Sequence, residues 1–154
     1  MTDPIRVMVV DDEAEIRHAI ERYLAFQTEL QDLVIIQAGT FEEALTRLEE
    51  QSPLIVLQDI NLPDGNGLQF IRQTKKKYPM VQFIVITGAS DLDRAMEALV
   101  YGAADYIKKP LDMPMLATVI GQAVNRCRRW GELLWAEYSE TTESMDEIAT
   151  SPAE

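Results

Sequence analysis

Residues 54–59, LIVLQD, decide the fold, because an almost continuous apolar run ends there in a carboxylate. Similar runs occur at residues 5–10 (IRVMVV) and 81–86 (VQFIVI). Such β-branched runs are typical of strands that are covered on both faces, as in a parallel sheet. Together with two shorter runs they predict five strands, at Ile5–Val10, Leu33–Gln37, Leu54–Gln58, Val81–Ile86 and Asp105–Ile107.

Helix-like segments with apolar residues three or four positions apart lie between these runs. Thr40 and Glu43 form a capping-box pattern at the start of one segment, and Gly102 stands where another should stop. Strict alternation of strand and helix predicts right-handed crossovers and a doubly wound α/β sheet with helices on both faces. The helices are expected around Ile16–Leu24, at Phe41–Glu50, Leu68–Lys77 and Leu92–Tyr101, and from about Asp112 onward.

Composition limits the class of protein. The chain has 154 residues, 47% of them hydrophobic and 26% charged, which is typical of one soluble globular domain. A single cysteine excludes a disulfide framework, and we expect a cytoplasmic location. The net charge of -12 argues against nucleic-acid or anionic-membrane binding, and no apolar run approaches the roughly 20 residues of a membrane span.

Polar side chains stand at the ends of four predicted strands. Asp11 and Asp12 follow the first strand, Asp59 ends the third, Thr87 the fourth, and Lys109 follows the fifth. Ligands of open α/β sheets bind at the carboxyl ends of the strands, so these groups should converge on one edge. A single acid there is equally expected as a helix cap, but capping does not explain acids from two strands together with a threonine and a lysine.

Clustered carboxylates repel one another unless a cation lies among them. A set of oxygen ligands without histidine or cysteine selects a hard ion such as Mg²⁺. With a lysine and a hydroxyl nearby, such a site suits phosphoryl transfer to a carboxylate nucleophile. Asp59 is the best candidate nucleophile, since the turn-rich stretch at 61–67 is expected to leave it accessible.

Four motifs in this order and spacing resemble the receiver domains of response regulators from bacterial two-component signal transduction. They are VVDDE at residues 9–13, DINLPDGNG at 59–67, VITG at 85–88 and GAADYIKKP at 102–110. The resemblance extends from about Arg6 to Arg126. It implies a flavodoxin-like fold with strand order 2-1-3-4-5 and five helices. A receiver of this family would normally end near Arg126, but the apolar positions of the last helix continue here, so we expect that helix to be extended. The resemblance also implies that Asp59 accepts a phosphoryl group from a sensor histidine kinase or a phosphotransfer protein.

The resemblance further implies a metal site. Asp12, Asp59 and the main-chain carbonyl of Asn61 would bind Mg²⁺ or Mn²⁺, with Asp11 acting through water. Each of these positions matches the motif of the family in this sequence.

The remaining site residues are also carried over from the family. Lys109 would contact the phosphoryl group, and Thr87 and Tyr106 would form the switch pair. The Lys109–Pro110 bond should be cis, which the proline makes accessible. Gln58, beside the acceptor, lies where an apolar residue is usual, and we interpret it as a structural residue that needs a hydrogen-bond partner.

Two other functions remain open from the residues alone. A Mg²⁺-dependent phosphatase or phosphotransferase with an aspartyl-phosphate intermediate is one, although its second acid, two residues after the nucleophile, is replaced by Asn61. The other is a structural domain whose acids only cap helices. We favour a signalling switch that is not an enzyme, either as a stand-alone regulator or as the N-terminal receiver of a larger effector.

The end of the sequence divides the chain into three parts. Residues 1–126 form the receiver, and 127–138 extend the last helix. Residues 139–154 form an acidic tail that we expect to be disordered, since residues 137–154 contain six acidic and no basic residues. The extension would bind a second copy of the chain or an output module, or else pack back on its own domain. The apolar seam of the whole last helix consists of Leu116, Ile120, Ala123, Cys127, Trp130, Leu134 and Tyr138, and Leu133 and Trp135 also lie in the extension.

Overall fold

Strands and helices alternate along the chain in the computed structural model, as the sequence predicts. The structure describes residues 4–88 and 92–150, and it gives residues 134–150 as helix backbone only. Each predicted strand is present, with bounds that differ by at most one residue. The strands are Arg6–Val10 (β1), Val34–Ala38 (β2), Ile55–Asp59 (β3), Gln82–Thr87 (β4) and Asp105–Lys108 (β5), and the helices are Ala14–Ala25 (α1), Phe41–Gln51 (α2), Gly67–Lys77 (α3), Leu92–Val100 (α4) and Met113–Thr150 (α5).

The five strands form one parallel sheet in the order β2-β1-β3-β4-β5. This order confirms the predicted doubly wound, flavodoxin-like fold. The central strand β3 is buried along its whole length, between β1 and β4. Because all five strands run in one direction, their carboxyl ends meet at one edge of the sheet and their amino ends at the other.

Both faces of the sheet are covered, because successive strand residues point to opposite sides. On one face, α1 and α5 pack on a cluster that includes Val7 and Leu57. On the other, α2, α3 and α4 pack on a cluster that includes Met8 and Val56. Burial of such a side chain stabilises the fold by roughly 1.5–3 kcal/mol. These two layers hold the carboxyl ends of the strands in fixed positions.

The start of α2 is capped largely as predicted. Thr40 Oγ1 accepts a hydrogen bond of 3.1 Å from the Glu43 amide. The Glu43 carboxylate accepts one of 2.9 Å from the Gly39 amide. Two amides near the helix start are therefore satisfied by side chains.

A short hairpin follows β3 and lies against α2. Its strands, Asn61–Leu62 and Gly65–Asn66, pair antiparallel. At its tip, both carboxylate oxygens of Asp64 accept hydrogen bonds of 3.1 Å from the Phe41 amide. A Cβ at Gly65 would lie 2.9 Å from the Phe41 ring, so the close approach requires glycine. The loop after the acceptor strand is thereby fastened to α2.

Gln58 is buried between the helix layers, as its place in β3 requires. Its amide Nε2 donates to the main-chain oxygen of Asp59 at 3.3 Å. Its Oε1 is buried and accepts no hydrogen bond from the part of the chain that the structure describes. Gln58 therefore has the predicted hydrogen-bond partner for its Nε2 but none for its Oε1 among the described residues.

The last helix is longer than the sequence predicts. α5 runs to Thr150, whereas we expected the helix to end at residue 138 and a disordered tail to begin at residue 139. Neither glycine nor proline interrupts residues 132–151, and the many Glu, Ala and Leu residues there favour helical backbone. Residues 151–154 of the predicted tail lie outside the described residues, as do the side chains of Leu134, Trp135 and Tyr138.

The apolar seam of α5 passes from the core to the surface. Leu116, Ile120 and Ala123 are fully buried. Trp130 and Leu133 are 52% and 58% exposed. Among the helices of residues 4–88 and 92–150, none combines the length and the hydrophobicity of a membrane-spanning segment.

Candidate phosphoryl and metal site

The four predicted strand ends meet at the carboxyl edge of the sheet. Asp11 follows β1, Asp59 ends β3, Thr87 ends β4 and Lys109 follows β5. Carboxylate oxygens of Asp11, Asp12 and Asp59 lie within 4.8 Å of one another. The convergence that we expected from the strand order is therefore present.

Asp11 is a buried acid of this cluster. Its residue is fully buried, and its Oδ1 accepts a hydrogen bond of 2.8 Å from the Glu13 amide. Burial raises the pKa of Asp11 from 3.8 to about 6, and the charges of Asp59 and Asp12 act in the same direction. The Glu13 amide and Lys109 oppose this increase without cancelling it. The cluster thus holds negative charge at a cost in free energy.

Lys109 lies against the cluster. Its Nζ is 2.8 Å from Asp59 Oδ2 and 3.6 Å from Asp11 Oδ2. Burial alone would lower the pKa of Lys109, but the hydrogen bond and charges of these acids raise it overall. Its amide donates to the Thr87 carbonyl at 2.7 Å, and the Lys109–Pro110 bond is cis, as the resemblance implies. The ammonium is therefore positioned by its backbone as well as by its partners.

Asp59 is less accessible than the sequence suggests. We expected the turn-rich stretch after β3 to leave it open, yet only 4% of the residue is exposed. Its Oδ1 accepts a hydrogen bond of 2.9 Å from the Asn61 amide, and Lys109 covers its Oδ2. The turn residues do form a hairpin, but the hairpin begins with the Asn61 amide that donates to this carboxylate.

Thr87 and Tyr106 lie on neighbouring strands. In the register of β4 and β5, Thr87 pairs with Lys108 and Val85 pairs with Tyr106. Because side chains alternate along a strand, Thr87 and Tyr106 point to the same face of the sheet. Thr87 is buried, whereas Tyr106 is half-buried against the core cluster of that face. The two residues predicted as a switch pair thus lie on neighbouring strands and on the same face of the sheet.

The residues at this edge fit a hard divalent cation. The cluster brings three carboxylates together and Lys109 supplies one ammonium, so two negative charges remain unbalanced. Asp11 Oδ2 is buried and receives no hydrogen bond from any described residue. Oxygen ligands of this kind suit Mg²⁺ or Mn²⁺. The carbonyl of Asn61 stays a predicted ligand.

Two arginines beside the site were not predicted from the sequence. Arg17 of α1 donates to the main-chain oxygen of Asp11 at 2.6 Å and to Gln37 of β2 at 3.2 Å. Arg94 of α4 donates to the side-chain oxygen of Asn61. For Arg17 the spacing of six residues after Asp11, in the first turn of a helix, was an available signal; we find none for Arg94.

Comparison with known proteins agrees with this geometry. The family model of the response regulator receiver domain matches residues 7–121. The DNA-binding transcriptional regulator NtrC of Salmonella typhimurium is 36% identical over 122 residues, which cover 77% of this chain and 24% of NtrC. The response regulator protein PilR of Pseudomonas aeruginosa is 31% identical over 119 residues, or 77% of this chain and 26% of PilR.

A solved structure gives the same result for the fold. The receiver domain of NtrX from Brucella abortus superposes with a TM-score of 0.71 at 28% identity, covering 77% of this chain and 98% of that domain. This chain spans about a quarter of the length of the curated relatives named above. The matches support the switch and not the phosphatase alternative. The chain belongs to the family of response regulator receiver domains.

Proposed function

We propose that the chain accepts a phosphoryl group on Asp59 from a histidine kinase or a phosphotransfer protein in the cytoplasm, and that this changes its association. The observation that carries the proposal is the contact of 2.8 Å between Lys109 Nζ and Asp59 Oδ2 inside the carboxylate cluster. A positioned ammonium stabilises the charge of a phosphoryl group during transfer. Membership in the receiver family supports the same function.

The proposed transfer uses groups of the chain as follows. A carboxylate oxygen of Asp59 attacks the phosphorus of a phosphohistidine, so a P–O bond forms while the P–N bond breaks. The leaving imidazole nitrogen takes the electron pair of that bond and a proton from solvent. Lys109 turns its hydrogen bond from Asp59 to a phosphoryl oxygen. Mg²⁺ or Mn²⁺ at Asp11, Asp12, Asp59 and the Asn61 carbonyl would neutralise charge on the phosphoryl oxygens.

Intact-mass measurement tests the acceptor. After incubation with acetyl phosphate and Mg²⁺, the parent should carry one added phosphoryl group and Asp59→Asn none. The asparagine keeps the shape of the side chain and removes the nucleophile. Equal labelling of Asp59→Asn would overturn the assignment. Consumption of many equivalents of acetyl phosphate without stoichiometric labelling would favour the enzyme alternative.

Thr87 and Tyr106 are proposed to couple phosphorylation to the surface. The Thr87 hydroxyl would donate to a phosphoryl oxygen, and its movement would leave space for Tyr106 to turn inward. Such a ligand shifts the conformational equilibrium only through this differential contact. Thr87→Ala should therefore still be labelled at Asp59 but lose most of the change in Tyr106 ring signals by NMR. An unchanged response in Thr87→Ala would exclude the pair.

The beginning of the helix extension, residues 127–138, is proposed as the association surface for a second copy or an output module. Trp130 and Leu133 leave more than half of their area exposed. Burial of each would contribute roughly 1.5–3 kcal/mol to association. Sedimentation of the full chain should show self-association that Trp130→Ser with Leu133→Ser abolishes. A monomeric parent at high micromolar concentration, with and without phosphoryl group, would exclude the second copy.

A further inference from the structure

A cavity of about 340 Å³ lies at the amino-terminal edge of the sheet, opposite the carboxylate cluster. The loop after α3, the residues before β5 and the underside of α5 enclose it. Its walls are mostly apolar, with Leu54, Met80, Ala104 and Trp130 among them. This volume falls within the range of small-molecule sites in proteins, which are typically apolar with a few polar groups.

The charged side chains around this cavity have one sign. Lys75 and Arg126 line it, and none of the described lining residues is acidic. Arg126 Nε donates to Gln82 Oε1 at 2.6 Å, but Arg126 Nη2 is buried and has no hydrogen-bond partner among the residues described. A buried donor of a charged group that lacks an acceptor destabilises the fold. Because this nitrogen has almost no accessible surface, a carboxylate in the cavity would reach it only after the guanidinium turns toward the cavity, and would then supply the missing acceptor in a charge-assisted hydrogen bond.

Lys75 adds a second positive charge without a carboxylate partner in the described structure. Its Nζ donates to the carbonyl oxygens of Pro79 at 2.7 Å and Val81 at 3.1 Å. An ammonium has three N–H donors, so these bonds account for two of them. Both cations of the cavity are therefore held in place by neutral groups and are suited to an anion.

We propose that this cavity binds a small apolar carboxylic acid, with its hydrocarbon part against Trp130 and Met80 and its carboxylate toward Arg126. The proposal is independent of phosphorylation at Asp59. Since Arg126, Cys127, Trp130 and Gly131 all line the cavity, such a ligand would bridge the domain body and the beginning of the helix extension. A metabolite acid could thereby affect the same helix that the phosphoryl group is proposed to control.

Cys127 provides a direct readout, because it is the only cysteine of the chain and lines the cavity. The probe is octanoate, below its micelle-forming concentration, with 1-octanol as the neutral match. We measure the rate at which N-ethylmaleimide alkylates Cys127 in the full-length chain. Saturating octanoate should slow alkylation at least about tenfold, and 1-octanol at the same concentration should slow it far less, since it lacks the anionic acceptor for Arg126.

Two glycines of α5 offer a matched pair of variants. A Cβ at Gly131 or at Gly121 meets no described atom within 4 Å, so a larger side chain starts without a clash at either position. Gly131 lines the cavity and Gly121 does not. Gly131→Leu should abolish the protection by octanoate, whereas Gly121→Leu should retain it. Arg126→Gln should weaken octanoate binding by about tenfold or more.

Four results would overturn the proposal. The first two are that octanoate fails to protect Cys127 in the parent and that it protects Cys127 equally in Gly131→Leu. Equal protection by octanol and octanoate would show that the cavity does not select an acid. Protection that increases with protein concentration and is insensitive to octanoate would assign the cavity to a second copy of the chain.

Discussion

Two lysines, one at each edge of the sheet, show how differently the fold treats the same ammonium group. Lys109 at the carboxyl edge is 2.8 Å from the Asp59 carboxylate, and the neighbouring acids raise its pKa despite burial. Lys75 at the amino edge donates to two neutral carbonyls, and burial lowers its pKa. Partial burial is common to both, so the sign of the shift depends on the partners.

The carboxyl edge and the amino edge of the sheet therefore differ in the charge that each would accommodate. At the carboxyl edge, charges of both signs meet, and the acids outnumber the base, so the site gains from an additional cation. At the amino edge, positive charge lies beside apolar walls, so that edge gains from an anion. Substitutions at the two edges should therefore affect different properties of the protein.

The largest expected effect is on the rate of phosphorylation. Lys109→Met removes the ammonium from Asp59, and loss of one positioned donor typically slows such a step by about 10²–10³. Time courses of labelling by acetyl phosphate, followed by intact mass, measure this. Lys108→Met, an exposed neighbour at the end of β5, should be labelled at the parent rate. Equal rates for both variants would remove Lys109 from the reaction.

The next largest effect is on how the free energy of unfolding depends on pH. Because burial raises the pKa of Asp11 from 3.8 to about 6, the folded state binds its proton more tightly than the unfolded state does. This contribution to stability is fully present below pH 3.8 and is lost as the pH rises through about 6. Asp11→Asn should therefore increase the free energy of unfolding at pH 7.5, by up to about 3 kcal/mol.

Urea unfolding in the presence of EDTA measures this difference between Asp11→Asn and the parent. The difference should shrink steadily between pH 6 and pH 4. Asp93→Asn, which changes an exposed acid of α4, should show no such trend. A variant that is less stable than the parent at pH 7.5 would contradict the burial argument.

Binding of Mg²⁺ should reduce the repulsion among the carboxylates of Asp11, Asp12 and Asp59. At a tenfold excess over its dissociation constant, the metal should add about 1.4 kcal/mol to the free energy of unfolding. Thermal melting with and without Mg²⁺ checks this increase. Asp12→Ala should abolish the shift, because Asp12 contributes an oxygen to the cluster. An unchanged midpoint of the parent at high Mg²⁺ would contradict the metal site.

The smallest effect tests whether the hairpin belongs to the metal site or to the scaffold. Asp64 accepts hydrogen bonds from the Phe41 amide at the start of α2, so Asp64→Ala should cost about 1 kcal/mol of stability. The shift in melting caused by Mg²⁺ should nevertheless stay that of the parent. Loss of that shift would place Asp64 among the metal-binding residues.

The set of side chains at the carboxyl edge was predictable, because it follows from the positions of the strands in the sequence and from their parallel order. Apolar runs mark the strands, and parallel order forces Asp11, Asp59 and Lys109 to one edge. The burial of Asp59 was not predictable from the sequence. Glycine and aspartate in 61–67 indicate that the chain turns there, but they do not indicate in which direction it turns. Arg94 was missed because its contact with Asn61 joins side chains 33 residues apart, and no periodicity encodes such a contact.

The cavity at the amino edge has no sequence signature for the same reason. Leu54, Met80, Ala104 and Trp130 come from four separate segments, and only the folded chain brings them together. The length of α5 was underestimated because acidic composition was interpreted as disorder. Composition of that kind is compatible with both a solvated helix and a disordered tail, and the absence of glycine and proline in 132–151 is the feature that favours the helix.

The 38 residues of α5 make this helix a lever arm. Its base is clamped in the core through Val124, and the 24 residues from Cys127 to Thr150 extend about 36 Å further at 1.5 Å per residue. A tilt of about 5° at the base would displace the far end by about 3 Å. Small rearrangements beside the sheet are thus geometrically amplified at a distance from the domain that produces them.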